Sequence, residues 1–210
     1  MVRQKRRFAP PSWNQQLELA RRHSSFKEDL LLKIETQDKR LVRVQATPEA
    51  RTLYNCYSQV MTEINQLMNY LRFTINPHGI LHVSYTPRHS IEDVVVAQFH
   101  RRFPRFAIVL ASARGTFVAD MMTVLQLTKP LADVILDLEN QRPRDPFLKD
   151  LNNTDDAIWE AFYRSQRRTT ERDPKRVAAI VPKRFQKMPS FQLERELFAG
   201  ATLKPFLPQH

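Results

Sequence analysis

The spacing of apolar residues along the chain predicts several amphipathic helices. Between residues 48 and 68, apolar side chains recur every three or four positions, with Thr47 as N-cap and Pro48 in the first turn, which predicts a long helix. Ser90 is predicted to cap a second helix that carries acidic residues in its first turn and arginines in its last. Shorter helices are predicted over residues 14–22, over 131–138, and from Asp155 onward.

Other segments are short apolar or alternating runs bounded by turn residues, and they predict strands. Residues 70–75 and 80–85 flank a turn that contains Gly79, and residues 106–111 and 116–119 flank a turn that contains Gly115, which predicts two hairpins. Residues 30–36 and 40–44 predict a further hairpin. The middle of the chain therefore predicts a β-β-α-β-β unit, and the fold class is α+β, with an antiparallel sheet packed against several helices.

The chain divides by composition into an arm, a body and a tail. Residues 1–13 predict a basic extended arm, 14–190 a single α+β domain with an alternative boundary near 140–154, and 191–210 a C-terminal tail. The arm is either a solvated end or a segment that lies on phosphates, with Phe8 or Trp13 docking on the body or stacking on a base.

The charge balance favours a polyanionic partner. The chain has 33 Lys and Arg against 22 Asp and Glu, a formal net charge of +11, and a pI near 10.1. Nucleic acid is the commonest such partner, and the alternative is that the charge only keeps the protein soluble. No apolar run approaches the length of a membrane span, and no apolar segment follows the basic residues 1–7. We therefore expect a cytoplasmic protein without a membrane partner, in which the single cysteine, Cys56, is a buried thiol.

No catalytic, metal-binding or cofactor-binding pattern is present. The three glycines, Gly79, Gly115 and Gly200, are isolated, which excludes the glycine-rich phosphate loops. The histidines lack metal-ligand spacing, and His82 and His89 are interpreted as surface residues, with contact to phosphate as the alternative. Carboxylates such as Glu63 and Glu92 are interpreted as capping or solvated groups. We therefore expect no cofactor, no metal and no stand-alone activity.

Two groups of cations are the candidate phosphate contacts. Aromatic residues lie between these cations in the sequence, but they fall at helix-core spacing and are interpreted as core residues. The prediction of phosphate binding therefore rests on the cations. The middle group is Arg101, Arg102, Arg105 and Arg114, and the later group is Arg164, Arg167, Arg168, Arg172, Lys175, Arg176, Lys183, Arg184 and Lys187.

An ordered set of segments resembles one protein family. The set comprises residues 71–73 (LRF), 79–87 (GILHVSYTP), 99–104 (FHRRFP), 107–110 (AIVL) with Arg114, 159–162 (WEAF), 171–174 (ERDP) and 182–189 (PKRFQKMP). The family comprises DNA-metabolism or DNA-repair proteins of unassigned activity that accompany a radical-SAM protein and also occur fused to uracil-DNA glycosylases. Its members usually carry an aromatic-Trp pair after the last Pro-Lys-Arg, whereas here Gln186 follows Phe185.

This resemblance implies a role in nucleic-acid metabolism and a radical-SAM or glycosylase partner. It also implies functional positions at Arg72, Arg102, Arg114, Arg172 and Arg184. The leading hypothesis is a nucleic-acid-binding accessory protein of DNA repair or modification, with DNA or RNA as ligand. The alternatives are a structural RNA-binding subunit of a ribonucleoprotein, and an enzyme acting on a base or nucleotide through a pocket of Arg102, Arg114 and His82.

Overall fold

A computed structural model describes residues 12–121, 123–148, 179 and 181–186 of the chain. Four helices come first along the chain and the strands of one sheet follow, with a single helix between the second and third strands, so the predicted α+β fold class is confirmed. The elements are α1 (Trp13–Arg21), α2 (Asp29–Glu35), α3 (Lys39–Arg43), α4 (Pro48–Tyr70), β1 (Thr74–Ile75), β2 (Ile80–Ser84), α5 (Glu92–Arg102), β3 (Ala107–Ser112), β4 (Gly115–Asp120), β5 (Thr123–Leu127), α6 (Leu131–Gln141), a 3-10 turn (Pro146–Leu148) and α7 (Lys183–Gln186).

The five strands form one sheet in chain order. Strands β2 and β3 are parallel and are joined by α5, whereas the other neighbouring pairs are antiparallel. The antiparallel pairing of both predicted hairpins in the middle of the chain is confirmed, but the first strand is shorter than predicted, since α4 continues to Tyr70 and β1 is only Thr74–Ile75. The β1–β2 turn has Gly79 at φ +72°, and the Asn76 side chain accepts the N–H groups of His78 and Ile80. At Gly115, where φ is +124°, a Cβ would lie 2.9 Å from the Leu127 carbonyl oxygen.

Successive side chains along a strand point to opposite faces of the sheet, and each face is covered by helices. Ile108 and Leu110 face the main core, which α4 and α5 complete, whereas Val109 faces the other side, where Val134 of α6 covers it. The sequence predicted a helix over residues 131–138, and α6 extends it to Gln141. Within the alternative boundary near 140–154, the chain at Asp145 packs against the turn at 76–79, since the Asp145 N–H donates to the Pro77 carbonyl.

The long helix α4 begins as its sequence predicts. The Thr47 side chain accepts the Ala50 N–H, Pro48 lies in the first turn, and Cys56 is buried, so these predictions are confirmed. Helix α1 is also confirmed, with a capping box between Ser12 and Gln15. Helix α1 packs on the N-terminal half of α4, where Ala20 lies in a second apolar cluster.

Residues 30–44 form two helices, α2 and α3, so the predicted hairpin is wrong. Asp38 caps α3 by accepting the Arg40 N–H, and Leu31, Ile34 and Val42 are buried. The apolar residues that make the segment look like strands include Leu32, Leu41 and Val44, all of which are exposed. The buried set has helical spacing once these are set aside.

Two further details differ from the sequence prediction. Ile91, not Ser90, is the N-cap of α5, and Ser90 instead donates its N–H to the Arg22 carbonyl. Strand β5 was not predicted, because its residues are mostly exposed and gain their pairing from β4. The helix predicted from Asp155 lies outside the described residues. None of the helices in the described ranges combines the length and apolarity of a membrane span.

Helix α7 is anchored to the main core by Phe185. This side chain is fully buried and packs against Tyr70 and stacks on Tyr85, with ring centroids 5.5 and 5.6 Å away. We expect Phe185→Ala to lower the free energy of unfolding by roughly 3–5 kcal/mol, because it removes a large buried side chain and leaves a cavity. Urea denaturation of the two proteins measures the difference.

A matched control is Leu136→Ala on α6, where the side chain is 57% exposed. This change should alter the free energy of unfolding by about 0.5 kcal/mol or less. Equal effects of the two substitutions would contradict the docking of α7 on the core.

Candidate nucleic-acid interface

The loop between β2 and α5, residues 85–91, lies at the carboxyl ends of the two parallel strands. Beneath it is Glu63 of α4, which is only 2% exposed. Its carboxylate accepts the N–H groups of Arg88 and His89 at 3.0 Å each, and Arg184 Nη1 at 2.8 Å. Glu63 thereby fixes the loop to α4 and brings α7 to the same place.

A second buried carboxylate holds the other side of the loop. Glu92, in the first turn of α5, is 2% exposed and accepts Arg114 Nε at 2.6 Å and the Ser112 hydroxyl at 2.8 Å. Arg114 Nη2 donates to the carbonyl oxygens of Pro87 and His89, both at 2.8 Å. Arg114 therefore joins the β3–β4 turn to the loop.

The interpretation of Glu63 and Glu92 as capping or solvated groups is wrong. Both are buried, and an ionised carboxylate in such a position requires charged or hydrogen-bonding partners. The sequence contained a signal for Glu63, which falls on the apolar stripe of α4 between Val60 and Leu67. A charged residue at a core position predicts a buried partner, although it does not say which.

His89 is also buried, at 2% exposure, so its interpretation as a surface residue is wrong. Its Nδ1 accepts the Ser24 N–H, and its ring stacks on His23 with centroids 4.3 Å apart. Burial lowers the pKa of His89 below its ordinary value of 6.5. Glu63 opposes this effect on the pKa, while the neighbouring His23, Arg88 and Arg184 add to it.

The arginines at the other end of α5 are exposed. Arg101, Arg102 and Arg105, which we call the basic edge, lie in the last turn of the helix and in the turn that follows. Within the described ranges, none of the three forms an ion pair, and the Arg102 guanidinium lies 5.4 Å from the centroid of the Phe103 ring.

Arg142 holds the backbone of this turn in place. Its Nη2 donates to the Arg105 carbonyl oxygen at 2.9 Å, while its Nη1 pairs with Asp120 at 2.8 Å. The His100 ring hydrogen-bonds the Phe106 carbonyl at 3.0 Å. The basic edge therefore stands on a fixed backbone while its side chains remain in solvent.

The structure divides the predicted middle group of cations. Arg101, Arg102 and Arg105 precede β3, whereas Arg114 follows it, and six residues of strand separate them by about 20 Å. Arg102 and Arg114 therefore do not share a pocket, and His82 pairs with Val109 in the middle of the sheet. Arg102, Arg114 and His82 therefore do not form the pocket that was expected for an enzyme acting on a base or nucleotide.

The other cations that were predicted to contact phosphate are either bonded within the protein, exposed, or outside the described residues. Arg72 follows α4 and donates to the Asn69 carbonyl oxygen, and Arg184 is held by Glu63 and Gln66. Lys183 is exposed. Outside the described residues lie Arg164, Arg167, Arg168, Arg172, Lys175, Arg176 and Lys187.

No three histidine, cysteine, aspartate or glutamate side chains come together as metal ligands in the described part of the chain. The fold and these contacts define an α+β protein with arginines held on buried carboxylates at one end of the parallel strands and exposed arginines at the other.

The chain belongs to the family described as a domain of unknown function (DUF4130), whose model matches residues 26–189. Membership in a family of unassigned activity is thereby confirmed, and the match begins upstream of the resembling segments, so it includes α2 and α3. No curated protein and no solved structure matches the chain. The association with DNA metabolism stays a prediction.

Arg114→Ala should lower the free energy of unfolding by about 3 kcal/mol, because it leaves the buried Glu92 carboxylate without its cation. The expected decrease is at the low end of the range for removing one partner of a buried ion pair, because the Arg114 side chain is 34% exposed. Urea denaturation provides the measurement. Arg101→Ala, the control, should change the value by about 0.5 kcal/mol or less, and a similar loss in both variants would contradict the role of the Arg114–Glu92 pair.

The lowered pKa of His89 predicts a loss of stability in mild acid. Because the unfolded chain takes up a proton near pH 6.5 and folded His89 only at lower pH, the free energy of unfolding should fall as the pH drops below 6.5. Urea midpoints measured between about pH 7.5 and 5 test this. His89→Asn keeps an acceptor for the Ser24 N–H but cannot titrate, so it should show a shallower fall; identical pH profiles would contradict the prediction.

Proposed function

We propose that this protein is a nucleic-acid-binding accessory protein of DNA repair or modification that contacts the phosphate backbone through the basic edge. One observation carries the proposal. Arg101, Arg102 and Arg105 are exposed and have no carboxylate partner within the described ranges, whereas Arg114 and Arg184 are neutralised by buried glutamates. Of these five arginines, the ones available to a polyanion are therefore the three of the basic edge.

The chemistry of these side chains suits phosphate. A guanidinium is always charged and presents its donors in a planar fork that matches two phosphate oxygens. Arg144 adds a further exposed cation beside the edge, since the neighbouring Arg142 bonds the Arg105 carbonyl oxygen. Contacts of this kind position a protein on nucleic acid without reading its sequence.

The net charge of the chain supports the same ligand. A formal charge of +11 attracts polyanions over a distance of about one Debye length, near 8–10 Å at physiological salt, and speeds their encounter. The assignment to DNA repair or modification, and a radical-SAM or glycosylase protein as partner, rests on the resemblance of the segments between residues 71 and 189.

Replacing Arg101, Arg102 and Arg105 together by Gln should weaken binding to duplex DNA. It should also reduce the slope of log K against log salt by up to about 2.7, at about 0.9 for each phosphate contact removed. Fluorescence anisotropy across a salt series measures both quantities, with duplex DNA, single-stranded DNA and structured RNA as ligands.

The matched control neutralises three exposed lysines elsewhere, Lys27, Lys33 and Lys129, and so makes the same change in net charge. The control should retain most of the affinity and the slope. Equal losses in both triple variants would show that net charge alone attracts the nucleic acid. Tighter binding of structured RNA than of either DNA would favour the ribonucleoprotein alternative.

A further inference from the structure

A groove lined by aromatic and basic residues lies at the N-terminal ends of α1 and α4. One cavity in it has a volume of about 370 Å³ and is lined by Trp13, Tyr54 and Tyr57, among others. A second cavity of about 280 Å³ shares Trp13, Val42 and Arg43 with the first and extends toward Leu31 and Glu35. Volumes of about 300–1,000 Å³ are typical of sites for small organic ligands.

Two aromatic side chains of the groove, Trp13 and Tyr54, are exposed, whereas Tyr57 is partly buried. Trp13 is 37% exposed and Tyr54 is 43% exposed, and the Tyr54 and Tyr57 rings lie at 49° with their centroids 6.1 Å apart. The Trp13 indole N–H and the two tyrosine hydroxyls make no hydrogen bond with the residues that the structure describes. Large aromatic faces combined with unused polar groups are the features of a surface that binds flat, polar rings.

Cations surround the groove. Helix α3 carries Lys39, Arg40 and Arg43 in five residues, and Arg43 lines both cavities without an ion pair to any described residue. Glu35 is the carboxylate among the lining residues of the second cavity. The local charge therefore favours an anionic ligand over a cationic one.

We propose that this groove binds an unpaired nucleotide of a single strand, with the base stacked on Trp13 and Tyr54 and its phosphate on Arg43. The inference rests on the proposed function and adds the class of nucleic acid that is recognised. Stacking tolerates any base, because every base has a π face, and duplex DNA cannot supply one without unpairing. Ligands would therefore be single strands, gaps or displaced bases.

The occupant is assigned as nucleic acid rather than a peptide for two reasons. The lining combines aromatic faces with an arginine that has no ion pair among the described residues, which matches a base joined to a phosphate. In addition, the first seven residues of the sequence include Arg3, Lys5, Arg6 and Arg7, and this positive charge favours a polyanion over a peptide.

The test compares Trp13→Ala, Tyr54→Ala and Arg43→Gln with the unaltered chain. The ligands are a short single strand, its duplex, and a strand of the same length whose bases have been removed. We expect each aromatic variant to bind the single strand about fivefold to a hundredfold more weakly, as loss of one stacked base implies, with duplex affinity unchanged. The baseless strand should bind the unaltered chain at least as weakly as the intact strand binds Trp13→Ala, because it loses the stacking on both Trp13 and Tyr54.

A second readout does not depend on affinity. The chain has two tryptophans, so Trp159→Phe leaves Trp13 alone, and its emission should be quenched on addition of the single strand but not of the duplex. Met121→Ala, which removes a side chain that is 84% exposed and distant in sequence, is the control and should bind like the unaltered chain. Circular dichroism verifies that each variant is folded.

The outcomes separate this inference from the proposed function. Normal binding of the single strand by Trp13→Ala and Tyr54→Ala, with the basic-edge variant still impaired, overturns the groove and leaves the proposed function intact. An unchanged Trp13 emission on addition of the single strand likewise overturns the groove and leaves the proposed function intact. Absence of binding to every nucleic acid at low salt overturns both.

Discussion

Two buried carboxylates determine how the parts of this molecule come together. Glu63 and Glu92 each lie 2% exposed beneath the loop at residues 85–91, where leaving an ionised carboxylate unpaired costs several kcal/mol. Glu63 therefore requires Arg184, a residue 121 positions away in the chain, and Glu92 requires Arg114 across the β3–β4 turn. These two ion pairs fix the loop at residues 85–91 between α4 and α5 and hold α7 against the core. They therefore determine the arrangement of side chains at the carboxyl ends of the parallel strands.

The same pairing decides which cations can meet a ligand. Arg114 donates to the Glu92 carboxylate and to backbone oxygens, and Arg184 donates to the Glu63 carboxylate and the Gln66 amide oxygen, so a polyanion would have to displace those bonds to reach them. Arg101, Arg102 and Arg105 have no such competitor in the described residues, and Arg142 bonds their turn through the Arg105 carbonyl without using their side chains. Counting Lys and Arg in the sequence does not distinguish these two kinds of arginine. In the structure their partners differ, and the length of β3 separates Arg114 from the basic edge.

The sequence predicted those elements whose signals are local. Helix α4 has a cap, a proline in the first turn and a continuous apolar stripe, and each middle hairpin has a glycine that the turn conformation requires, so all were predicted. Strand β5 has no such signal, because its pairing with β4 defines it and its side chains are exposed. The buried state of His89 was likewise beyond local prediction, since Ser24, His23 and Glu63 reach it from two other parts of the chain.

The error at residues 30–44 and the aromatic groove have one cause. Read as strands, this segment would place Leu41, Val42 and Arg43 on alternating faces of a hairpin, with no relation to Trp13 or Tyr54. As helix α3, begun by Asp38, it turns Val42 into the cluster with Ala50 and Leu53 and leaves Arg43 at the groove. The aromatic residues come from α1 and α4, and the cation comes from α3, so no single segment of sequence contains the site. The groove depends on a tertiary contact that only the correct secondary structure of α3 permits.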